Sequence, residues 1–303
     1  MKTSAYPYYQ PSFSEYNVAQ SLAIPHLDKD NNLVVSFATA AGKTVLAEGI
    51  FAYHLQTDKD CKVIYVCPFR SLASEKYEAW KKEPQLSKYG LVLSTGDTGV
   101  NILDDDKAQI ILTTSESFDS KTRSESYREL LKKVVCVVFD EAHLIGDKNR
   151  GSAVEISMIR LARINPKARM VLLSATMGNA MELAKWVKSL NGKPTKCITS
   201  QWRPMTVEIN YHPVNGNTDK IEKAVELAKE AQWFKTVVFV HSKITGADIV
   251  KKLRSSGVRA VFHNASLSAG KRKMIETQFN ERMSGLNILV STSTLSAGVN
   301  LAV

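Results

Sequence analysis

With 303 residues, 44% of them hydrophobic and 23% charged, the chain has a globular composition and room for two domains of ordinary size. No apolar run approaches the roughly 18 residues that a membrane-spanning helix needs. The net charge of +10 favours a polyanionic partner or, more plainly, a solvated basic face, and residues 210–303 hold 13 basic against 7 acidic side chains.

Residues 1–13, rich in Tyr, Pro and Ser, read as an irregular arm. Ser14 is a candidate N-cap for a helix that runs toward His26 and carries Gln20. The apolar run 33–37 reads as a buried strand, the loop Ala38-Thr39-Ala40-Ala41-Gly42-Lys43-Thr44 follows it, and residues 44–55 read as an amphipathic helix. Strand, small-residue loop, Gly-Lys-Thr and helix form the arrangement that cradles phosphates. In that arrangement backbone N–H groups and the helix N-terminus face the anion, Lys43 reaches the β- and γ-phosphates, and the Thr44 hydroxyl holds Mg²⁺. Phe37 stands where the general motif has glycine, and a plain strand-to-helix turn is the competing reading.

A strand over 62–67 leads into Pro68 to Lys76, where a helix offers Arg70, Ser71 and backbone amides to a nucleic-acid phosphate, or else simply solvates its charges. Strands over 91–94 and 109–112 end in Ser94-Thr95-Gly96-Asp97 and Thr113-Thr114-Ser115-Glu116, and ligands of open α/β sheets sit outside such carboxyl ends. Asp104, Asp105 and Asp106 read as a solvated loop. The apolar strand 134–139 then delivers Asp140 and Glu141 into a polar end, which is costly unless a cation or proton uses them. Asp140 suits outer coordination of Mg²⁺, and Glu141 suits a general base that orients an attacking water. With the Gly-Lys-Thr loop they make a two-part nucleotide-hydrolysis site.

A helix over 152–164, a strand over 169–173 ending in Ser174-Ala175-Thr176, a helix over 179–190 and a short strand near 196–198 complete a first domain, 1–204. Residues 205–217 read as the crossing into a second, 205–303. Helices over 219–232, 246–255 and 269–280 alternate there with strands over 236–240, 258–262 and 286–290. The fold class is therefore α/β, two parallel-sheet domains in tandem. Cys61, Cys67, Cys136 and Cys197 lack C-x-x-C spacing and read as reduced core thiols, the histidines make no zinc pattern, and His26 and His54 are expected on helix surfaces. The N-terminus lacks the charged-then-apolar pattern of a signal peptide, so the expected location is cytoplasmic, or nuclear in a eukaryote.

These ordered pieces resemble superfamily 2 DExH-box helicases, and within them the Ski-type branch that includes archaeal repair helicases and the polymerase theta helicase domain. The match covers Gln20, the loop 38–44 continuing as Val45-Leu46-Ala47-Glu48, 68–76, 94–97, 113–116 and Asp-Glu-Ala-His at 140–143. It continues through Leu144-Ile145-Gly146-Asp147, Arg150-Gly151, 174–176, Trp202-Arg203-Pro204 and Thr292 to Asn300. This family also lacks the first loop glycine, so Phe37 fits it. The resemblance implies two RecA-like domains, the second incomplete at its C-terminus, that use ATP and Mg²⁺ and move 3′ to 5′.

By the same resemblance Gln20 reads adenine, and Thr39, Ala40, Ala41, Gly42, Lys43, Thr44, Gly298 and Asn300 line the nucleotide. Lys43, Asp140 and Glu141 catalyse hydrolysis, with Thr44 and Asp140 on the metal. His143, Ser174 and Thr176 couple the nucleotide to strand grip. Arg70, Lys76, Thr114, His241, Ser242, His263 and Thr292 hold one strand, mainly by its phosphates. The family's arginine-finger motif follows Gly298-Val299-Asn300 beyond Val303, so the 303-residue chain is expected to bind ATP weakly and unwind poorly unless a partner or a C-terminal region supplies those arginines. The expected function is an ATP-dependent helicase or translocase motor core, with DNA favoured over RNA because the loop leans toward DNA-repair members. An RNA helicase of the same branch and a catalytically incomplete nucleic-acid- or partner-binding module are the alternatives. A P-loop kinase or small GTPase has no place for Ser174-Ala175-Thr176 or for the basic second domain.

Overall fold

A computed structural model of the chain describes residues 1–96, 107–148, 150–292 and 295. It falls into two units, Met1–Thr206 and Val207–Val303. In the first, β1 (Asn32–Phe37), β2 (Lys62–Cys67), β3 (Leu91–Ser94), β4 (Ile110–Thr114), β5 (Val134–Phe139), β6 (Arg169–Ser174) and β7 (Thr195–Ser200) form a parallel sheet of order β3-β4-β2-β5-β6-β1-β7. A parallel sheet is covered on both faces, so its inner strands are buried and mostly apolar. Alternate residues feed two cores: Leu33, Val35 and Phe37 of β1 with Tyr65 of β2 on one face, and Val34 with Ile64 and Phe139 on the other.

Helices α1 (Val18–Ala23), α2 (Lys43–Thr57), α3 (Arg70–Trp80), α4 (Pro84–Ser87), α5 (Ser115–Arg123), α6 (Arg128–Lys132), α7 (Gly151–Ile164) and α8 (Ala180–Asn191) connect or flank these strands. The consequence for the site is positional. β6 separates β1 from β5, with Ser36 paired to Ser174 on one side and Phe139 to Leu172 on the other. Three loops, after β1, β6 and β5, therefore lie side by side at the carboxyl end of the sheet.

The N-terminal stretch departs from expectation in two ways. α1 starts at Val18, because Asn17 and not Ser14 is its cap: Gln20 N donates to the Asn17 side chain at 2.8 Å, and Asn17 N donates back to Gln20 Oε1 at 3.1 Å. The irregular arm before it is packed, with Tyr6, Tyr9 and Tyr16 buried, Tyr6 OH donating to Gly49 O at 3.2 Å and Tyr9 OH to Glu48 Oε2 at 2.9 Å. His54, expected on a helix surface, is turned inward, and burial pushes its pKa down to about 4. The four thiols are free, as expected, and Cys61, Cys67 and Cys136 are buried.

The second unit carries α9 (Gly216–Glu230), α10 (Lys243–Ser255) and α11 (Ala269–Asn280) around a parallel sheet of β8 (Thr236–Phe239), β9 (Ala260–His263) and β10 (Ile288–Ser291), in the order β8-β10-β9. β10 again splits its side chains: Ile288 and Val290 join Val225, Ile249 and Leu253 on one face, and Leu289 joins Ile275 and Phe279 on the other. Among the described residues no helix is long and apolar enough to cross a membrane.

One buried cation ties the first unit together below the sheet. Arg169, at the start of β6 and 0% exposed, donates to the carbonyls of Asn31, Leu27 and His26 at 2.7, 2.6 and 2.7 Å. Burial lowers its pKa, and these bonds to the segment between α1 and β1 are what make a buried guanidinium tolerable. Arg169→Met orphans three carbonyls and is expected to cost about 3 kcal/mol. The check is a urea titration in which the midpoint falls while the slope is unchanged.

Candidate nucleotide site

The loop after β1 places Ala40 and Gly42 in the left-handed region, at φ 64° and 78°, and closes a turn with Ala41 N donating to Ala38 O at 3.2 Å. Such alternation aims successive backbone N–H groups into one concavity suited to an anion. Glycine is required at 42 twice over: its φ is positive, and a Cβ there would lie 2.3 Å from Gln20 Nε2. Gln20 is buried and donates to Gly42 O at 3.2 Å, while Asn17 Nδ2 donates to Ala41 O at 3.1 Å, so the capping pair of α1 also holds two carbonyls of the loop.

Lys43 opens α2, is 9% exposed, and donates through Nζ to Phe37 O and Ala38 O at 3.3 and 3.4 Å. Burial lowers its pKa, against the pull of Glu141 and Asp140, so these three groups sense one another's charge. Asp140 is fixed just past β5: Tyr65 OH donates to Oδ2 at 2.7 Å and Glu141 N to Oδ1 at 2.9 Å. Glu141 takes a left-handed conformation, φ 50°. Burial raises its pKa and Asp140 adds to the rise, opposed by Lys43, His143 and Lys76. His143 Nδ1 lies 3.4 Å from Glu141 Oε2. Thr44 Oγ1 accepts from Lys76 Nζ at 3.1 Å.

The third loop is stitched to the first. Ser36 Oγ donates to Ala175 O at 3.2 Å and accepts from Met177 N at 3.0 Å, and Ser174 Oγ donates to Ala175 O at 2.8 Å. Ser174 is buried and Thr176 exposed. Phosphates fit the cradle of loop N–H groups with Lys43, and the hard oxygens of Thr44 and Asp140 are a donor set for Mg²⁺.

The residues expected to hold a strand are placed differently from one another. Arg70 is exposed at the start of α3, with Nη2 3.4 Å from the position of a Gly96 Cβ. Thr114 is buried and caps α5, accepting from Ser117 N at 3.3 Å. Lys76 reaches from α3 to Thr44, inside the nucleotide site. In the second unit His241 is exposed, and Ser242 caps α10 by accepting from Ile244 N at 3.1 Å and Thr245 N at 3.3 Å. The ring of His263 is 1% exposed and lies against Glu276 at 3.0 Å. Thr292 is buried at the end of β10 and donates through its N–H to His263 O at 3.3 Å. Gly298 and Asn300 lie outside the described residues, as does Asp97.

Sequence reasoning passed over Asn17, Ser36, Tyr65 and the structural use of Arg150, which donates to Pro68 O at 2.8 Å and stacks 4.3 Å over the Phe69 ring. Signals existed for two of them: Asn17 with Gln20 three residues on is a capping-box pattern, and Ser36 is a hydroxyl in an otherwise apolar strand.

The sheet and its phosphate loop define a P-loop α/β protein. Residues 17–183 match the model of the DEAD/DEAH box helicase family, and residues 219–303 match that of the helicase conserved C-terminal domain. The chain belongs to the DEAD/DEAH box helicase family. It is 31% identical, over 93% of its length, to the ATP-dependent DNA helicase Hel308 of Thermoplasma volcanium, and 30% identical, over 95%, to the ATP-dependent DNA helicase MER3 of Saccharomyces cerevisiae. The chain spans 45% of the first and 27% of the second. Its fold is similar to the DUF1998 helicase MrfA bound to DNA and AMPPNP, with TM-score 0.75, 20% identity and coverage of 95% of this chain and 43% of that one. It is also similar to the Mycobacterium smegmatis helicase Lhr bound to ssDNA and AMP-PNP, with TM-score 0.68, 22% identity and coverage of 96% and 41%.

Two outcomes follow from this geometry. Gly42→Ala drives a methyl group into Gln20 at a positive φ, and a loss of about 1–2 kcal/mol in thermal stability is expected together with weakened nucleotide binding. Glu141 binds its proton more tightly folded than unfolded, so the folded state loses stability as pH rises from the ordinary carboxylate range through the raised value. Glu141→Gln removes that loss. Melting curves should place it above the parent near pH 7 and level with it below about pH 4.

Proposed function

We propose that the chain is the ATP-hydrolysing motor core of a nucleic-acid helicase or translocase, acting on DNA in preference to RNA and moving 3′ to 5′. The observation that carries this reading is the meeting of Lys43, Thr44, Asp140 and Glu141 beyond the carboxyl ends of β1 and β5, with Glu141 made more basic by burial and by Asp140. Lys43 and the loop N–H groups hold the phosphates. Mg²⁺, when bound, neutralises phosphate charge and orients the oxygens of the bond to be broken. Tyr65 and the Glu141 N–H fix the Asp140 carboxylate for that cation. Glu141 takes the proton of an attacking water, for which a carboxylate with a raised pKa is better suited than an ordinary one.

Coupling to the strand is assigned to His143, beside Glu141, and to the 174–176 loop, which Ser36 ties to the strand that ends in the phosphate loop. Arg70, Lys76, Thr114, His241, Ser242, His263 and Thr292 are assigned to the strand, with Gly298 and Asn300 on the nucleotide. The preference for DNA rests on the relatives, Hel308 and MER3, whose names describe DNA helicases. The buried free thiols suit a reducing compartment, the cytoplasm or the nucleus.

The test is steady-state ATP hydrolysis with single-stranded DNA, single-stranded RNA and neither, beside Lys43→Ala and Glu141→Gln. Turnover is expected to rise more with DNA than with RNA, and Glu141→Gln should lower it by about 10²–10⁴-fold while still binding nucleotide. Nucleotide binding without turnover under every condition would sink the motor reading for this chain.

A further inference from the structure

Lys76 links the helix after β2 to the nucleotide site. It lies on α3, the helix that opens with the exposed Arg70, yet its ammonium reaches across to α2 and donates to Thr44 Oγ1 at 3.1 Å. The side chain is half-buried, and its charge is felt by Glu141, Glu48 and Cys67, groups contributed by three other elements. Glu48 itself is engaged elsewhere, accepting from Trp80 Nε1 at 2.7 Å and Tyr9 OH at 2.9 Å. What holds Lys76 is the Thr44 hydroxyl, with the negative charge of Glu141 and Glu48 nearby.

Glu141 feels both Lys43 and Lys76 in a partly dry place, and Lys43 also feels Asp140. The Thr44 oxygen that Lys76 uses is the one a divalent cation would need. A hydroxyl has two lone pairs, so one oxygen has room for both partners, but an ammonium and a dication that share it repel strongly where water is scarce. One must leave when the other arrives.

Building on the reading that this loop binds MgATP, we propose that Lys76 is a built-in counter-cation of the nucleotide site that competes with the divalent metal for Thr44. It has two opposed effects. Positive charge beside the phosphate cradle lets nucleotide bind without metal, and the same charge raises the metal concentration needed to load the site. Metal dependence of nucleotide binding is therefore set in part from α3, outside the phosphate loop.

The experiment is a titration of the 303-residue chain with a fluorescent ATP analogue, in EDTA and across a Mg²⁺ series, for the parent, Lys76→Met, Lys76→Arg and Lys43→Ala. Met keeps the stem and removes the charge, while Arg keeps the charge. Lys76→Met is expected to weaken EDTA-resistant binding about tenfold, the worth of one partly screened charge contact, and to lower the Mg²⁺ concentration at half-saturation. Lys76→Arg should restore EDTA-resistant binding. If Lys76→Met binds nucleotide with the parent's metal dependence while Lys43→Ala abolishes binding, the proposal is overturned and the nucleotide reading stands. Nucleotide binding that survives Lys43→Ala unchanged would overturn both.

Discussion

Charge confined at the carboxyl ends of β1 and β5 is the constraint on which the first unit is built. Lys43, Asp140 and Glu141 are drawn from two strands that are not neighbours, and each is partly stripped of water. Left alone, any one of them would be expensive to bury. Their mutual attraction offsets that cost, and the surrounding polar groups are spent on geometry: Tyr65 on Asp140, Gln20 and Asn17 on the loop carbonyls, Ser36 on the loop after β6. The strained backbone at Ala40 and Glu141 falls in the same small region. Strain and desolvation gathered where chemistry is expected are the usual marks of a site that trades stability for function.

Much of this was legible in the sequence because it depends on local pattern. Largely apolar runs such as 33–37 and 134–139 announce buried parallel strands, and a Gly-Lys-Thr after the first and an Asp-Glu after the last announce what those strands deliver. α5 and α6 were not legible. Ser-Glu-Ser-Phe-Asp-Ser-Lys-Thr-Arg has little apolar periodicity, and α5 owes its start to Thr114 as cap and its place to packing of Phe118 in the core.

Side-chain direction was harder still. Lys76 and His263 sit in motifs that point to a strand, and sequence order says nothing of which way a long side chain or a ring turns. Lys76 turns to the Thr44 hydroxyl near Glu141, and His263 lies buried against Glu276. The packed tyrosines of the arm were missed for a related reason: a stretch without periodicity can still be ordered when its rings find a helix, here α2, to lie against.

The order β8-β10-β9 has a bearing on how the chain comes into being. β10 is the last of the three to be synthesised and the one between the other two, which pair with it and not with each other. Among the described residues, β8 and β9 have no ladder to join until residues 288–291 have emerged, and Leu289, with Ile288 and Val290, is missing from the two cores it completes. Assembly of that sheet is therefore a late, non-local event, and a ribosome paused before it would hold a chain whose first unit can be finished while two lone strands remain open to wrong partners.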